Sequence, residues 1–353
     1  MDLTEKIKTK AKEIGFNKVG ITDVTPLPEK IQSLYSNWLK KDYNAGMEYL
    51  EKSIDIRLNP AKLFQNAKSI VSLAINYNPG FIGKISSRDI AFISRYALGK
   101  DYHKIISHKL ELLLAYIKQA TRNKASGKTY CDTGPILEKL IAERAGLGWI
   151  GKNSALITKD FGSWVFLGEI VLDIELKKDL PAKNLCSDCN LCIEACPTVA
   201  IVAPGVIDTS RCLSYLTVEN RGGIPIDLRE ALENKVFGCD TCQEVCPFNS
   251  NVAKTTESCF LPWKHLLGIS LKKLFIMAYE NFEGYFSNSA IKRTKRSGLF
   301  RNIIVAMGNS QDKQYLPLLK KLLTEEDSIV KNHVEWAIKK LKGENGRASS
   351  VSL

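Results

Sequence analysis

No run in this 353-residue sequence approaches the roughly 18–20 consecutive apolar residues that a membrane-spanning helix needs. The longest candidates, 70–75 and 164–172, read as buried strands. The opening MDLTEKIKTKAKEIG alternates charge with apolar residues and has neither a continuous apolar core nor a small-residue cleavage site. A secretory leader is therefore not expected, and a cytoplasmic protein with no membrane partner is. A Gly-x-Gly-x-x-Gly dinucleotide fingerprint is also missing. Disorder is excluded by composition, since 44% hydrophobic and 25% charged residues are ordinary for a folded chain.

What is present in excess is positive charge and cysteine. Lys+Arg 50 against Asp+Glu 38 leaves +12, which directs attention to a polyanionic partner. Ten cysteines in a long chain from a reducing compartment point to metal binding rather than disulfides. Cys131 and Cys259 stand apart; the other eight crowd into one stretch.

Up to about residue 176 helical and strand periodicities intermix, as in an α/β domain. Leu3, Ile7, Ala11 and Ile14 make an amphipathic helix closed by Gly15. Strands are expected at 18–23, 69–77, 129–131 and 163–174, and helices after Pro28, from Tyr102, and over 135–145 with Pro135 in the first turn. A polar linker, KKDLPAKN, leads into the cysteines. Beyond Cys259 strand signals vanish, and 299–307, 316–323 and 329–341 read as antiparallel helices resembling one or two helical repeats. The tail 343–353 is expected to fray.

Cys186-x2-Cys189-x2-Cys192-x3-Cys196-Pro197 is a bacterial ferredoxin run, in which three cysteines wrap one [4Fe–4S] cubane and the fourth reaches another. Cys239-x2-Cys242-x3-Cys246-Pro247 is a second half lacking its first cysteine locally, and Cys212 completes the count. One cluster is thus expected on Cys186, Cys189, Cys192 and Cys246, the other on Cys196, Cys212, Cys239 and Cys242. Structural zinc also uses four cysteines, but seldom in two runs that exchange ligands. Two clusters conduct single electrons and bind no organic substrate, so a catalytic redox cofactor is expected in the N-terminal domain. The corrinoid signature Asp-x-His-x-x-Gly is approached at Asp101-Tyr102-His103 and fails at Ile106, so His103 is not expected to ligate a cobalt.

Several further stretches, in this order and spacing, resemble the epoxyqueuosine reductase family. They are Gly46-Met47-Glu48-Tyr49-Leu50, Arg57 before Pro60, Arg95-Tyr96-Ala97 with Gly99, and Asp101-Tyr102-His103-Lys104. Cys131-Asp132-Thr133-Gly134-Pro135, Gly148-Trp149-Ile150-Gly151-Lys152-Asn153, the cysteine series and Arg301-Asn302 complete the pattern. The resemblance implies an α+β multidomain enzyme. A nitroreductase-like α/β cobalamin-binding domain would span 1–176, a ferredoxin-like domain with two [4Fe–4S] clusters 177–258, and a HEAT-like helical domain 259–353. It implies reduction of epoxyqueuosine to queuosine at the wobble position of a tRNA anticodon, by a monomer fed by an external low-potential electron donor. Reductive dehalogenases share the cofactor pairing and are the alternative; a plain electron carrier would leave the α/β domain without work.

The resemblance makes Asp132 the proton donor to the departing oxygen. An aspartate ahead of Thr-Gly-Pro and a helix could equally be an N-cap. Arg57, Tyr96, Ala97, Asp132, Lys152, Asn153 and Ser154 match positions lining the corrinoid site, although a salt bridge, a core aromatic and a polar turn are commoner uses. Gly146, Gly148 and Gly151 suit a backbone approached closely by something flat or bulky, and Cys131 a small buried residue. Lys292, Arg293, Lys295, Arg296 and Arg301 form a basic segment without an acid between Gly284 and Arg301, preceded by Tyr285 and Phe286. Cations for phosphates and aromatics for unpaired bases suit an anticodon loop.

Overall fold

The computed structural model describes residues 2–80, 87–324 and 326–344. The expected fraying of the tail falls on 345–353, outside them. Backbone contacts group the chain into two compact units, the first comprising Met1–Gly80, Gly99–Ser210 and Asp240–Leu261, the second Phe81–Leu98, Arg211–Cys239 and Pro262–Leu353. This grouping cuts the chain at other places than the expected boundaries at 176 and 258, because the segment 211–239 packs with the C-terminal helices.

The first unit is built on a four-stranded sheet of β1 (Lys18–Asp23), β2 (Ser69–Asn76), β3 (Gly127–Tyr130) and β4 (Val165–Leu172), in the order β1-β2-β4-β3 and antiparallel throughout. Every residue of β2 is buried, as a central strand covered on both faces requires. One face carries α1 (Leu3–Ile14) and α3 (Tyr102–Ala120); Gly168 of β4 leaves room there for Ile106 and Leu110. The other carries α4 (Glu138–Arg144), whose Ala142 packs on Ala74 of β2. α2 (Glu29–Lys40) follows Pro28 as expected. α1 shows why these boundaries were readable. Asp2 caps it by accepting from the Glu5 amide at 2.8 Å, and Gly15 at φ +105 turns its amide onto the last carbonyls.

One expected helix starts late. α4 begins at Glu138, not at Pro135, because 131–137 is a loop pinned by buried Cys131 and Ile136 and turned by Asp132 at φ +55. The ferredoxin-like part of this unit contributes two matching pieces, short helices Leu191–Glu194 and Thr241–Glu244, each of which runs into a Cys-Pro step.

In the second unit, Phe92–Ile93 pairs in parallel with Lys235–Phe237, and four helices follow: α5 (Leu271–Phe286), α6 (Lys295–Asn309), α7 (Leu316–Lys321) and α8 (Ser328–Lys342). The last three match the expected stretches. α5, kinked at Asn281, was not anticipated. α6 is buried from Leu299 to Gly308 and forms the spine of a core that includes Phe275, Phe286, Tyr315 and Val334. Among the described residues no helix is long and apolar enough to cross a membrane.

Candidate functional site

The start of α3 sets three polar side chains side by side. Asp101 caps the helix, and its Oδ1 accepts both the His103 amide at 3.0 Å and His103 Nδ1 at 2.7 Å. The imidazole is thereby oriented so that Nε2 lies 3.3 Å from Oδ2 of Asp132. The Tyr102 hydroxyl donates to the same oxygen at 2.6 Å, and its ring stacks on Phe166 of β4 at 4.1 Å. Asp132 therefore sits at the tip of a loop with a hydroxyl and an imidazole aimed at one oxygen, while its side chain is still 58% exposed, open to a substrate.

Charge follows from this geometry. Burial alone would lower the His103 pKa, but Asp101 and Asp132 outweigh it and raise the imidazole to about 9. For Asp132 desolvation pulls upward, and the bonds from His103 and Tyr102 overcome it and hold the carboxyl below the usual range. Asp132 and His103 thus form an ion pair carrying one acidic proton at neutral pH. Asp132 is not a helix cap: the residue preceding α4 is Leu137, and no side chain caps that end.

Behind the loop, the Asp132 amide donates to Oε1 of Glu138 at 2.6 Å, and Glu169 lies fully buried in the middle of β4. Neither glutamate was singled out from the sequence. The signal was available for Glu169, an acid inside the otherwise apolar run VFLGEIVL. Cys131 is buried, and burial first and nearby acids second push its thiol far up, so it is no nucleophile.

Cys186, Cys189, Cys192 and Cys246, the four assigned to one cluster, line a single cavity together with Lys152 and Phe248. Burial, and then the charges of Cys186, Cys192 and Cys189, raise the Cys246 thiol, although a bond to the Phe248 amide opposes them; bound iron would neutralise that mutual repulsion. Among the described residues no three His, Cys, Asp or Glu side chains meet closely enough to hold one metal ion. Four thiols lining one cavity have the donor chemistry that a [4Fe–4S] cluster takes. The Trp149 indole N–H donates to Cys186 Sγ at 3.4 Å. Of the other four cysteines, Cys196 and Cys242 belong to the first unit and Cys212 and Cys239 to the second.

The residues matched to a corrinoid site are placed as follows. Arg57 is buried and donates to the carbonyls of Tyr49 at 2.9 Å and Lys52 at 3.2 Å, bracing that loop. Lys152 Nζ bonds Asn190 at 3.0 Å, Asn153 Nδ2 the Cys242 carbonyl at 3.3 Å, and Ser154 Oγ the Gly205 carbonyl at 2.8 Å. This loop therefore grips the cluster-binding segment. In the second unit, Ala97 is fully buried and the Tyr96 ring packs against Phe237. The close approach expected at the glycines comes from the chain itself, since a Cβ on Gly148 would lie 2.1 Å from the Ile157 carbonyl oxygen.

The basic segment divides. Arg301 is 1% exposed, and its guanidinium donates to the carbonyls of Leu216, Asn220 and Gly222. It braces the core, lying in the stretch of α6 from Leu299 to Gly308 that is buried residue after residue, and so is not placed to meet RNA. Phe286 is likewise core, whereas Tyr285 is exposed. Arg293 forks onto Glu219 at 2.7 and 2.8 Å, and Lys292 pairs with Glu283 at 2.9 Å. Lys295 and Arg296 are exposed, with the Arg296 guanidinium 4.3 Å from the Phe300 ring centre. Arg301→Ala is expected to lower stability by on the order of 3 kcal/mol, since buried carbonyls lose their donor. A thermal melt checks this, and a stable variant with weakened tRNA binding would contradict it.

Two stretches of the chain match known family models. Residues 185–249 match the 4Fe-4S double cluster binding domain, and residues 57–133 match the model described as Epoxyqueuosine reductase QueG, DUF1730. The epoxyqueuosine reductase of Vibrio cholerae is 40% identical over 340 residues, 95% of this chain and 91% of that protein. An epoxyqueuosine reductase solved with an epoxyqueuosine-modified tRNA-Tyr stem loop superposes with a TM-score of 0.89 at 31% identity, covering 96% of this chain and 90% of that one. The Bacillus subtilis enzyme, solved with its catalytic aspartate loop swung out of the active site, does so with a TM-score of 0.89 at 30% identity and the same coverage.

Proposed function

The chain belongs to the epoxyqueuosine reductase family, and we propose that it converts epoxyqueuosine to queuosine in tRNA with Asp132 and His103 as its proton-delivering pair. The family membership displaces the small-molecule dehalogenase alternative. The observation that carries the catalytic reading is the convergence of Tyr102 and His103 on one oxygen of an exposed Asp132.

Removing the epoxide oxygen as water takes up two electrons and two protons and leaves a carbon–carbon double bond. Cys186, Cys189, Cys192 and Cys246 would hold one [4Fe–4S] cluster, and Cys196, Cys212, Cys239 and Cys242 are assigned by spacing to the other; the two would supply single electrons from an external low-potential donor. Cobalamin, when bound, supplies the low-valent cobalt that takes those electrons to the epoxide. Both ring nitrogens of His103 are engaged by aspartates, which commits the imidazole to holding a proton. This chain's part is one of the two protons, the second coming from solvent to complete the water. At rest the chain's proton sits on His103 Nε2, and as charge grows on the departing oxygen Asp132 passes it on while the imidazole releases it. Because the His103 pKa is raised, the pair is loaded below about 9 and empties as pH rises through that value, so turnover falls on the alkaline side.

In this reading the sheet of the first unit is the nitroreductase-like corrinoid domain and the C-terminal helices are HEAT-like, in a cytoplasmic monomer. Exposed Lys295 and Arg296 meet tRNA phosphates, and Tyr285 is available to stack. Replacing Lys295 and Arg296 together by Ala should weaken tRNA binding and flatten the plot of log affinity against log salt by about one to two units. Unchanged slopes remove the segment from the interface. The overall test is incubation of the reduced, cofactor-loaded protein with epoxyqueuosine tRNA, followed by nucleoside analysis for queuosine; no queuosine overturns the function.

A further inference from the structure

Two glutamates behind the Asp132 loop have no role in the steps above. Glu169 is wholly buried on β4, in register with Ser72 of β2 and Tyr130 of β3. Its Oε1 takes the Ser72 hydroxyl at 3.3 Å, and its Oε2 has no donor among the described residues. The Glu138 carboxyl, from the first turn of α4, lies within hydrogen-bonding reach of it. Two carboxylates facing each other away from water repel strongly, whereas one proton between them makes a short charge-assisted hydrogen bond. The other side of Glu138 accepts the Asp132 amide at 2.6 Å. That bond matters because Asp132 turns the loop at φ +55, a left-handed conformation that aspartate tolerates but that an anchored amide holds in place.

We infer that Glu138 is a positioning residue for the Asp132 loop, fixed in place by a proton it shares with Glu169. The inference rests on the reading of Asp132 as the residue that hands over the proton. The bonded chain runs from Ser72 and Glu169 in the sheet, through Glu138, to the backbone of the catalytic residue. It tethers the one loop that must be accurate to the most rigid part of the unit. Other charged or titratable groups around the pair are Asp132 itself, Cys131 beside it, Asp101 and His103 on α3, and Lys139 on α4, whose ammonium donates to the Ser154 carbonyl at 2.8 Å. Burial pushes both glutamates upward, helped at Glu138 by the charge of Asp132 and at Glu169 by the charge of Glu138, while the bond to Glu169 draws Glu138 back down; at neutral pH the pair therefore keeps at least the Glu169 proton. The sign is fixed by that direction: the latch is complete at low and neutral pH and is lost as pH rises through the raised value.

The test uses the cofactor-loaded enzyme and two readouts that do not need turnover. In the wild type, infrared spectra with labelled glutamate should show a neutral carboxyl band at pH 7 that is missing from Glu169→Gln. Hydrogen exchange at 131–133 should speed up in Glu138→Ala and be restored in Glu138→Gln, whose amide oxygen can still accept from Asp132. Glu169→Gln, a permanent donor, should keep that segment protected at alkaline pH where the wild type loses protection. In turnover, Glu138→Ala should lower kcat by about tenfold or more with little change in KM for tRNA. A wild type without the neutral band, or Glu138→Ala with unchanged exchange, overturns the inference. If band and exchange behave as stated while Asp132→Asn turns over normally, the latch stands and the proton-donor reading of Asp132 fails.

Discussion

Replacing Asp132 by asparagine is expected to cut queuosine formation by roughly 10²–10⁴-fold, the usual span for loss of general acid catalysis, in a protein that still folds and keeps its iron. The substitution is close to isosteric, and asparagine tolerates the left-handed backbone that Asp132 occupies at φ +55. The backbone N–H at this position remains for Glu138 Oε1, so the loop stays anchored. What disappears is the negative charge facing His103 Nε2. Asp132 is one of the two partners that raise the imidazole against the downward pull of burial, so the resting proton is held less tightly. The carboxamide in its place offers no oxygen that can take that proton and release it. The measurement is single-turnover formation of queuosine nucleoside from modified tRNA, with iron content and a thermal melt as controls. Turnover within about threefold of wild type, well short of the usual general-acid effect, would reduce Asp132 to a polar loop residue. In the wild type, the rate should fall as pH rises through the His103 value of about 9.

How much of this was readable beforehand depends on whether the relevant physics is local. The cysteine spacings are local, since two-residue spacers are what a cubane demands, and they led to four thiols that line one cavity. The all-apolar stretch at β2 and the capped, amphipathic α1 are local too. The proton machinery is not. His103 follows from a cap at Asp101, but its second partner, Asp132, comes from a loop far along the chain, and no periodicity links them. Glu169 becomes meaningful only once β4 is known to be central in the sheet. Arg301 misled for the same reason. It reads as one more cation in a basic run, yet the residues from Leu299 to Gly308 are buried, and the carbonyls it bonds lie in 216–222. A cation followed by Asn and a long apolar run was the hint that the helix turns inward after its exposed first turn.

The largest effect on the metal content is expected from Cys246→Ala, and it decides whether the two cysteine runs exchange ligands. If the cluster at the cavity uses Cys246, this single change should lower iron from about eight to about four atoms per chain, because a cubane deprived of one of its four thiolates is not retained. Iron loss alone would not say which cluster had gone. Trp149 supplies the marker: its indole donates to Cys186 Sγ, so Trp149→Phe removes a hydrogen bond that favours the reduced, more negative cluster. In the otherwise wild-type protein, Trp149→Phe should shift one of two midpoint potentials to a more negative value. In the Cys246→Ala background the surviving cluster should be indifferent to the same change, because the cluster bearing Cys186 is the one lost. A surviving cluster that still responds to Trp149 would mean that Cys186, Cys189 and Cys192 hold their iron without Cys246. The second run would then have to close its own cluster locally, and the electron path would consist of two independent modules.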